Sequence, residues 1–187
     1  MRMEDVDIAY EQHQVLKHLC MEVRSGERVA LQGGNGCGKS SVLKMVLGIN
    51  ACSGGGLELA SGLVISYVPQ DASGLSGTLN GFAEKEGIDR TLFLAILRKL
   101  DFERAQFEKR MEDYSEGQKK KVLIAGSLCW QAHLYIWDEP LNYIDIFSRM
   151  QIEKLIRIFE PTMLFVEHDA RFVKDAATRI VNFETLR

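Results

Sequence analysis

Strand-like and helix-like stretches alternate along most of this chain. Short runs of apolar, β-branched and aromatic residues predict buried strands at 63–68, 133–138, 162–167 and 178–183. Between these runs, apolar residues recur at every third or fourth position and predict helices at about 39–47, 116–129 and 146–159, with one more after His168. The alternation indicates an α/β domain built on a largely parallel sheet.

Two stretches depart from this alternation. Near the amino terminus, the runs at 6–10, 19–23 and 28–32 are short strand candidates separated by polar turns, and they predict a small antiparallel β subdomain. The glycine-rich stretch at 52–62 predicts a turn or hairpin. From about 74 to 130, an amphipathic run and then a densely charged one predict a short helical subdomain, inserted into a single domain that spans 1–187. The apolar side of its first helix is assigned to Leu92, Phe93, Ile96, Leu97 and Leu100.

Composition narrows the class of protein. With 187 residues, 46% of them apolar and 26% charged, the chain is long enough to bury a substantial core and is not disordered. The net charge of -3 excludes nucleic-acid binding through an overall basic field, so such a contact would need a local patch or another part of a larger molecule. The run Lys119–Lys121 is predicted to be a solvated helix face and not that patch. The sequence has no apolar run of about 18 residues and no signal peptide, and we therefore expect a cytoplasmic protein.

A glycine-rich loop supplies the strongest chemical signal. Residues 33–40 fit the pattern G-x-x-x-x-G-K-[ST] and lie between the predicted strand 28–32 and the helix that begins near Lys39. In such a loop the backbone N–H groups and the helix N-terminus surround phosphate groups, the lysine contacts the β- and γ-phosphates, and the hydroxyl binds Mg²⁺. We predict that Ser40 binds Mg²⁺ and that the nucleotide phosphates contact Gly33, Gly34, Asn35, Gly36, Cys37, Gly38, Lys39, Ser40 and Ser41.

Two acidic residues stand where the apolar run at 134–137 leaves the predicted sheet. By itself, an Asp-Glu pair in this position is more often a helix start or a solvated turn. With a phosphate-binding loop in the same sheet, Asp138 is predicted to hold Mg²⁺, and Glu139 is predicted to be the base that polarises the attacking water.

Between these motifs, the run Tyr114-Ser115-Glu116-Gly117-Gln118 resembles the LSGGQ signature of ATP-binding-cassette (ABC) ATPases. The order of the other motifs also resembles that family, over roughly residues 6–183. The resemblance implies a P-loop NTPase fold of the ABC type that binds ATP and Mg²⁺. It implies further roles for six residues: adenine stacking for Tyr10, Mg²⁺ binding and catalysis for Gln70, a catalytic switch for His168, and contact with ATP for Ser115, Gly117 and Gln118.

The signature departs from the usual family pattern at two positions. Tyr114 stands where the family has leucine, and Glu116 stands where it has glycine. Ser115 and Gly117, which in the family reach the γ-phosphate, are retained. Because a carboxylate close to a triphosphate would weaken its binding, Glu116 is predicted to face solvent or a basic neighbour.

The resemblance also implies a partner. In the ABC family, the loop of one cassette and the signature of another enclose one ATP, so this chain would form a homodimer or pair with another cassette. The runs at 114–125 and 136–153 look like the C-terminal cassette of ABC-F ribosome-protection proteins, the antibiotic-resistance group. The N-terminal cassette and its linker would then lie outside this sequence, and the ribosome would be the partner. An ATP-binding subunit of a membrane transporter is the alternative, and an ATP-binding switch with negligible turnover is a third interpretation.

Overall fold

The computed structural model describes residues 1–10 and 13–183, apart from the side chains of Tyr10 and His13. In chain order, the strands are β1 Arg2–Tyr10, β2 His13–Glu22, β3 Arg28–Gln32, β4 Gly54–Glu58, β5 Ile65–Val68, β6 Leu134–Asp138, β7 Met163–Val166 and β8 Arg179–Asn182. The helices are α1 Lys39–Val46, α2 Leu79–Glu86, α3 Arg90–Lys99, α4 Glu116–Cys129, α5 Ile146–Phe159 and α6 Ala170–Ala176, with short 3₁₀ helices at Arg104–Glu108 and Met111–Asp113. No helix in this described part combines the length and the apolar composition needed to cross a membrane.

Five strands form a parallel sheet in the order β5-β6-β7-β3-β8. Strand β3, which precedes the glycine loop, lies between β7 and β8, and strand β6, which ends at Asp138, lies between β5 and β7. Because the strands run in one direction, the segments that follow them emerge at one edge of the sheet. The predicted α/β class is confirmed, and this edge collects the polar residues of the predicted site.

The antiparallel sheet near the amino terminus differs in its third strand from the sequence prediction. Strand β1 pairs with β2 and with β4, whereas β3 belongs to the parallel sheet, so the prediction of three consecutive antiparallel strands is wrong at 28–32. The glycine-rich segment, for which the sequence predicts a turn or hairpin, contains strand β4, which pairs with β1. A Cβ atom on Gly55 would lie 2.1 Å from the carbonyl oxygen of Asp5 in β1. The glycines therefore permit a close approach of two strands and do not mark a turn here.

Side chains of the central strand β6 alternate between two cores. Leu134 and Ile136 pack on the face of the sheet that α1 and the antiparallel sheet cover. Trp137 points to the opposite face, where it packs in the core formed with α3 and α4, and its Nε1 donates to Ser127 Oγ at 2.9 Å. The same alternation turns Asp138 toward α1 and the loop that precedes it.

The segment for which the sequence predicts a helical subdomain contains α2, α3, the two 3₁₀ helices and α4. Its buried residues share one core with Trp137 and Phe165 of the parallel sheet. In α3, Phe93 and Leu97 are fully buried, while Leu92 is 47% exposed, so the buried face is narrower than the sequence predicts. The helices thus pack directly on the sheet. The start of α4 lies at the edge where the parallel strands end, which we call the functional edge.

Candidate nucleotide-binding site

The glycine loop connects β3 to α1 at the functional edge. Gly33, Gly36 and Gly38 have positive φ angles of 145°, 75° and 103°, which residues with a Cβ atom rarely adopt. Gly38 is the N-cap of α1 and offers no side-chain cap to the first N–H groups of the helix. These N–H groups and the positive end of the helix dipole are therefore available to an anion.

The Lys39 amine lies inside this loop. Its Nζ donates to the carbonyl oxygens of Gly33 and Gly34, each at 2.9 Å, and lies 3.8 Å from Cys37 Sγ. Lys39 is 7% exposed, so its charge is held by the loop and not by water. The loop thus presents a fixed cation together with its N–H groups.

A cleft of about 410 Å³ lies beside the loop. Asn35, Ser40 and Ser41 line it from the loop and the start of α1, and Gln70 and Glu139 line it from the edge of the sheet. The cleft therefore joins the predicted phosphate-binding residues to the predicted catalytic ones.

Ser40 and Asp138 form a candidate cation site within reach of this cleft. The Ser40 hydroxyl donates to Asp138 Oδ1 at 3.3 Å, which connects α1 to the end of β6. Asp138 is 2% exposed, and burial raises the pKa of its carboxyl group, an effect that the Ser40 hydrogen bond opposes. A hydroxyl and a carboxylate at this distance match the oxygen ligands that Mg²⁺ prefers, so the pair fits this ion.

Glu139 is held by side chains from three separate segments. Its Oε2 accepts hydrogen bonds from Gln70 Nε2 at 2.9 Å and Asn142 Nδ2 at 2.6 Å, and its Oε1 lies 3.3 Å from His168 Nε2. The φ angle of Glu139 is 46°, a strained value for a residue with a side chain and one that is often found at functional sites. Asn142 belongs to none of the motifs that predict the site, and the structure adds it to this group.

The predicted signature residues form the start of α4. Ser115 Oγ accepts a hydrogen bond from the Gln118 N–H at 3.3 Å, and Gln118 Oε1 accepts one from the Ser115 N–H at 3.0 Å, which makes a reciprocal capping box. A Cβ atom on Gly117 would lie 2.4 Å from the carbonyl oxygen of Tyr143. Glycine at this position therefore lets α4 contact the segment that follows Glu139.

The two unusual signature residues are accommodated without disturbing this start of α4. Glu116 Oε1 accepts a hydrogen bond from Lys119 Nζ at 3.1 Å, which confirms the predicted basic neighbour. Tyr114 is buried, and its hydroxyl donates to the Gln106 carbonyl oxygen at 2.6 Å. Burial raises the pKa of this hydroxyl to about 12.

The structure thus gathers the glycine loop, Gln70, Asp138, Glu139 and His168 at one edge of the parallel sheet. Ser115 and Gln118 bond to each other at the start of α4. The side chain of Tyr10, for which adenine stacking is predicted, lies outside the described residues.

The lysine run in α4 is not a solvated face, and that prediction is wrong. Lys120 is 2% exposed and Lys121 is 8% exposed. Lys120 Nζ donates to the Gln70 carbonyl oxygen at 2.9 Å, and Lys121 Nζ pairs with Asp145 Oδ2 at 2.6 Å. Helical spacing contains a signal for this burial, because position 120 lies on the same face as the fully buried Ile124.

Glu167 is a further polar residue at this edge of the sheet and belongs to none of the motifs that predict the site. It follows β7 and is 4% exposed. Its Oε2 accepts the N–H of Leu141 at 3.1 Å, and its Oε1 accepts the N–H groups of His168 at 2.7 Å and Asp169 at 3.2 Å. One buried carboxylate therefore holds the segment after Glu139 and the segment that carries His168.

Curated proteins of similar sequence include ATP-binding proteins, a member of the ABC transporter F family and a zinc import protein. ATP-binding protein Uup of Buchnera aphidicola subsp. Acyrthosiphon pisum is 27% identical over 98% of this chain and 32% of its own length. ABC transporter F family member 5 of Arabidopsis thaliana is 24% identical over 97% of this chain and 27% of its own. The zinc import ATP-binding protein ZnuC of Vibrio cholerae is 30% identical over 96% of this chain and 71% of its own. The chain spans about a third of the length of relatives such as Uup.

Solved structures share the fold. A chain in the crystal structure of the complex of archaeal ribosomal stalk protein aP1 and archaeal ribosome recycling factor aABCE1 aligns with a TM-score of 0.82 and 25% identity, over 97% of this chain and 36% of that one. The model of the ABC transporter family (ABC_tran) matches residues 16–142, which include the glycine loop, the signature and the Asp138-Glu139 pair. The chain therefore belongs to the ABC ATPase cassette family.

Proposed function

We propose that this chain binds ATP with Mg²⁺ and hydrolyses it to ADP and phosphate. The observation that carries the proposal is the position of Glu139, whose carboxylate is held by Gln70, Asn142 and His168 beside the glycine loop. A carboxylate fixed next to a phosphate-binding loop is suited to accept a proton from the attacking water. Membership of the ABC family supports the same reaction.

Binding is assigned to the residues around the loop. The loop N–H groups and Lys39 contact the β- and γ-phosphates, and Tyr10 stacks on the adenine. Ser40, Asp138 and Gln70 hold the Mg²⁺, which neutralises charge on the phosphate oxygens. His168 holds Glu139 in the orientation that proton transfer needs.

The partner in this proposal is a second cassette that binds head to tail. Ser115, Gly117 and Gln118 would then contact the ATP held in the partner's loop, and the partner is either the N-terminal cassette of the same polypeptide or a second copy of this chain. An exposed apolar surface beside the signature supports an interface, because such clusters are uncommon on free surfaces. This surface consists of Tyr143 (78% exposed), Ile146 (78%), Phe147 (52%) and Met150 (53%).

We propose that the whole protein is an ABC-F protein that acts on the ribosome in the cytoplasm and confers antibiotic resistance. The resemblance of 114–125 and 136–153 to the ribosome-protection group supports this assignment. The similarity to Uup and to ABC transporter F family member 5, which are about three to four times as long as this chain, fits a protein with two cassettes. The structural likeness to a ribosome recycling factor points to the same cellular partner.

A transporter subunit is the second candidate function. The observation in its favour is the similarity to ZnuC of Vibrio cholerae, of which this chain covers 71%. The reading frame upstream of residue 1 separates the two candidates. If it encodes a second glycine-loop motif, the ABC-F assignment is supported. If a gene for a membrane permease lies next to it, the transporter assignment is supported.

Nucleotide binding is tested by titrating the chain with a fluorescent ATP analogue in the presence of Mg²⁺. Lys39→Ala should weaken binding by at least about tenfold, because it removes the fixed cation of the loop. Lys85→Ala, at an exposed position of α2, is the matched control and should bind as the wild type does. Equal affinity of Lys39→Ala and wild type would contradict the proposal. Phosphate release by the same protein distinguishes hydrolysis from a binding switch without turnover.

The ribosome assignment is tested with the full-length protein by sedimentation with purified ribosomes. The Glu139→Gln variant, which should bind ATP without hydrolysing it, is expected to sediment with ribosomes when ATP is present. The same protein without nucleotide is the control. Absence of any ATP-dependent association would contradict this part of the proposal and leave the ATPase assignment unaffected.

A further inference from the structure

A buried lysine lies directly behind the candidate Mg²⁺ site. Lys120, in the second turn of α4, is 2% exposed and faces the same core as Ile124. It approaches β6 from the face covered by α4, whereas Ser40 approaches Asp138 from the face covered by α1. A buried ammonium group is costly unless its N–H groups are all bonded, so its partners indicate its role.

The partners of Lys120 are backbone carbonyl groups from the segment after β5 and from the last residue of β6. Nζ donates to the carbonyl oxygens of Pro69 at 2.7 Å and Gln70 at 2.9 Å, and lies 3.5 Å from that of Asp138. Three N–H donors thus meet three acceptors at the ends of β5 and β6. The amine joins the backbone of the two residues, Gln70 and Asp138, whose side chains are assigned to the same cation.

The two strands need such a connection at this point. Strands β5 and β6 pair in parallel as far as Val68 and Trp137. The residue that follows β5 is Pro69, which has no N–H to continue the ladder. Beyond the last pair, Lys120 supplies the link that backbone hydrogen bonds no longer provide.

The charge of Lys120 is also placed among carboxylates. Burial lowers the pKa of its amine, and the nearby carboxylates of Asp138, Glu139, Glu167 and Asp71 oppose that change. The amine therefore offsets repulsion within an acidic group that includes both the cation ligand and the base.

We infer that Lys120 is a positioning residue for the Mg²⁺ site, which fixes the ends of β5 and β6 so that Gln70 and Asp138 bind one cation together. The inference rests on the proposed binding of ATP with Mg²⁺. Lys120 lies outside the ABC motifs, and in this inference it sets the distance between two residues that belong to them, Gln70 and Asp138.

The test is the Mg²⁺ dependence of nucleotide binding by the Lys120→Met variant, which keeps the length of the side chain and removes its donors. A fluorescent ATP analogue is titrated first in EDTA and then over a series of Mg²⁺ concentrations. Affinity in EDTA should be unchanged, because the glycine loop is intact. The Mg²⁺ concentration for half-maximal enhancement should rise by about tenfold, as is common when support of a metal ligand is lost.

Two results would overturn the inference. One is an equal Mg²⁺ requirement in wild type and Lys120→Met. The other is a lower requirement in the variant, because repulsion between the amine and Mg²⁺ would then outweigh positioning. Lys121→Met is the matched control: Lys121 is also buried but pairs with Asp145, so this variant should lose thermal stability and keep the wild-type Mg²⁺ requirement.

Amide hydrogen exchange in nucleotide-free protein provides a second measurement. The amides of Gln70 and Asp71 should exchange faster in Lys120→Met than in wild type and in Lys121→Met. Equal exchange would overturn the inference even if the Mg²⁺ titration changed. Should wild type bind the nucleotide without any Mg²⁺ dependence, the proposed function fails, and the exchange experiment still decides whether Lys120 holds this backbone.

Lys120→Gln is the variant to use in the same Mg²⁺ titration if Lys120→Met does not fold. Its amide has N–H donors but is shorter and uncharged, so it satisfies fewer of the three carbonyl groups. It should require more Mg²⁺ than wild type, and a requirement equal to that of wild type would overturn the inference.

Discussion

The buried carboxylate of Glu167 accepts a hydrogen bond from the backbone N–H of Leu141 at 3.1 Å. The other oxygen of the same carboxylate accepts the N–H of His168 at 2.7 Å. A single side chain at the end of β7 therefore fixes two backbone segments near Glu139, the base of the proposed reaction. One segment follows Glu139 in sequence, and the other carries His168, which contacts Glu139. Movement of either segment would require this carboxylate to lose a buried hydrogen bond.

Replacing Glu167 by glutamine should destabilise the fold. The carboxylate accepts three backbone N–H groups, whereas an amide presents its own N–H groups to some of them and leaves buried donors unsatisfied. We expect the free energy of unfolding to fall by about 1–3 kcal/mol, measured by urea denaturation. Glu116→Gln breaks only an exposed ion pair with Lys119 and should change it by less than about 1 kcal/mol. Similar values for the two variants would argue against the role of Glu167.

Substitution of Gly117 by alanine should disturb the contact between α4 and the segment after Glu139. The added Cβ would lie 2.4 Å from the Tyr143 carbonyl oxygen, which belongs to the backbone and cannot rotate away. The expected loss is about 1–3 kcal/mol in the free energy of unfolding. Gly81→Ala is the helical control, because its nearest atom would be Thr78 Oγ1 at 3.4 Å, and it should be neutral or stabilising. A Gly117→Ala protein as stable as the wild type would show that α4 can shift to make room.

Asp145 should contribute stability that is lost in acid. Burial opposes its ionisation, but hydrogen bonds from Lys121 and from the N–H and hydroxyl of Ser148 outweigh burial and lower its pKa to about 2. Because the folded state holds this proton less tightly than the unfolded state, the contribution is complete above an ordinary aspartate pKa of about 3.8 and disappears as the pH falls toward about 2.

Asp145→Asn isolates this contribution, since asparagine still caps α5 through Ser148 but does not ionise. Urea denaturation of both proteins at several values between about pH 5 and about pH 2 gives the difference in unfolding free energy. The wild type should lose its advantage over the variant within this range. A difference that stays constant with pH would contradict the assigned pKa.

Glu139→Gln should separate nucleotide binding from hydrolysis. Glutamine keeps the shape of the side chain but cannot accept a proton from water, so the hydrolysis rate should fall by about 100-fold or more. Affinity for ATP should be retained, and a dimer held closed by ATP should appear in size-exclusion chromatography. Glu84→Gln, at an exposed position of α2, should leave both properties as in the wild type. Unchanged hydrolysis would exclude Glu139 as the base.

The sequence predicts the parallel sheet and most of the site because each motif is tied to the end of a strand. Asp138 and Glu139 follow a buried run, and His168 follows another, so parallel strands bring them to one edge. The contacts of Glu139 with Gln70 and His168 are consistent with this expectation. The roles of these residues in binding and catalysis stay predictions until the variants are measured.

The features that sequence patterns miss depend on backbone atoms far away in the chain. Helical spacing places Lys120 on a buried face, but the carbonyl groups of Pro69 and Gln70 that receive its amine there are recorded in no side-chain pattern. The glycines of β4 likewise indicate a turn until the backbone of Asp5 is placed against Gly55. In both cases tertiary contacts with distant backbone atoms decide the structure, and local preference does not.

The position of β3 inside the sheet bears on how the protein is made. Its two neighbours, β7 and β8, are the last strands of the described chain. During synthesis, β3 therefore cannot form its pairs in the parallel sheet until nearly the whole cassette has been translated. Pairings between such distant segments form slowly and leave apolar strands exposed meanwhile. A ribosome-bound cassette that stops short of β7 therefore has no neighbours for β3 in the parallel sheet, and we expect the glycine loop to reach its final position only after β7 and β8 have been made.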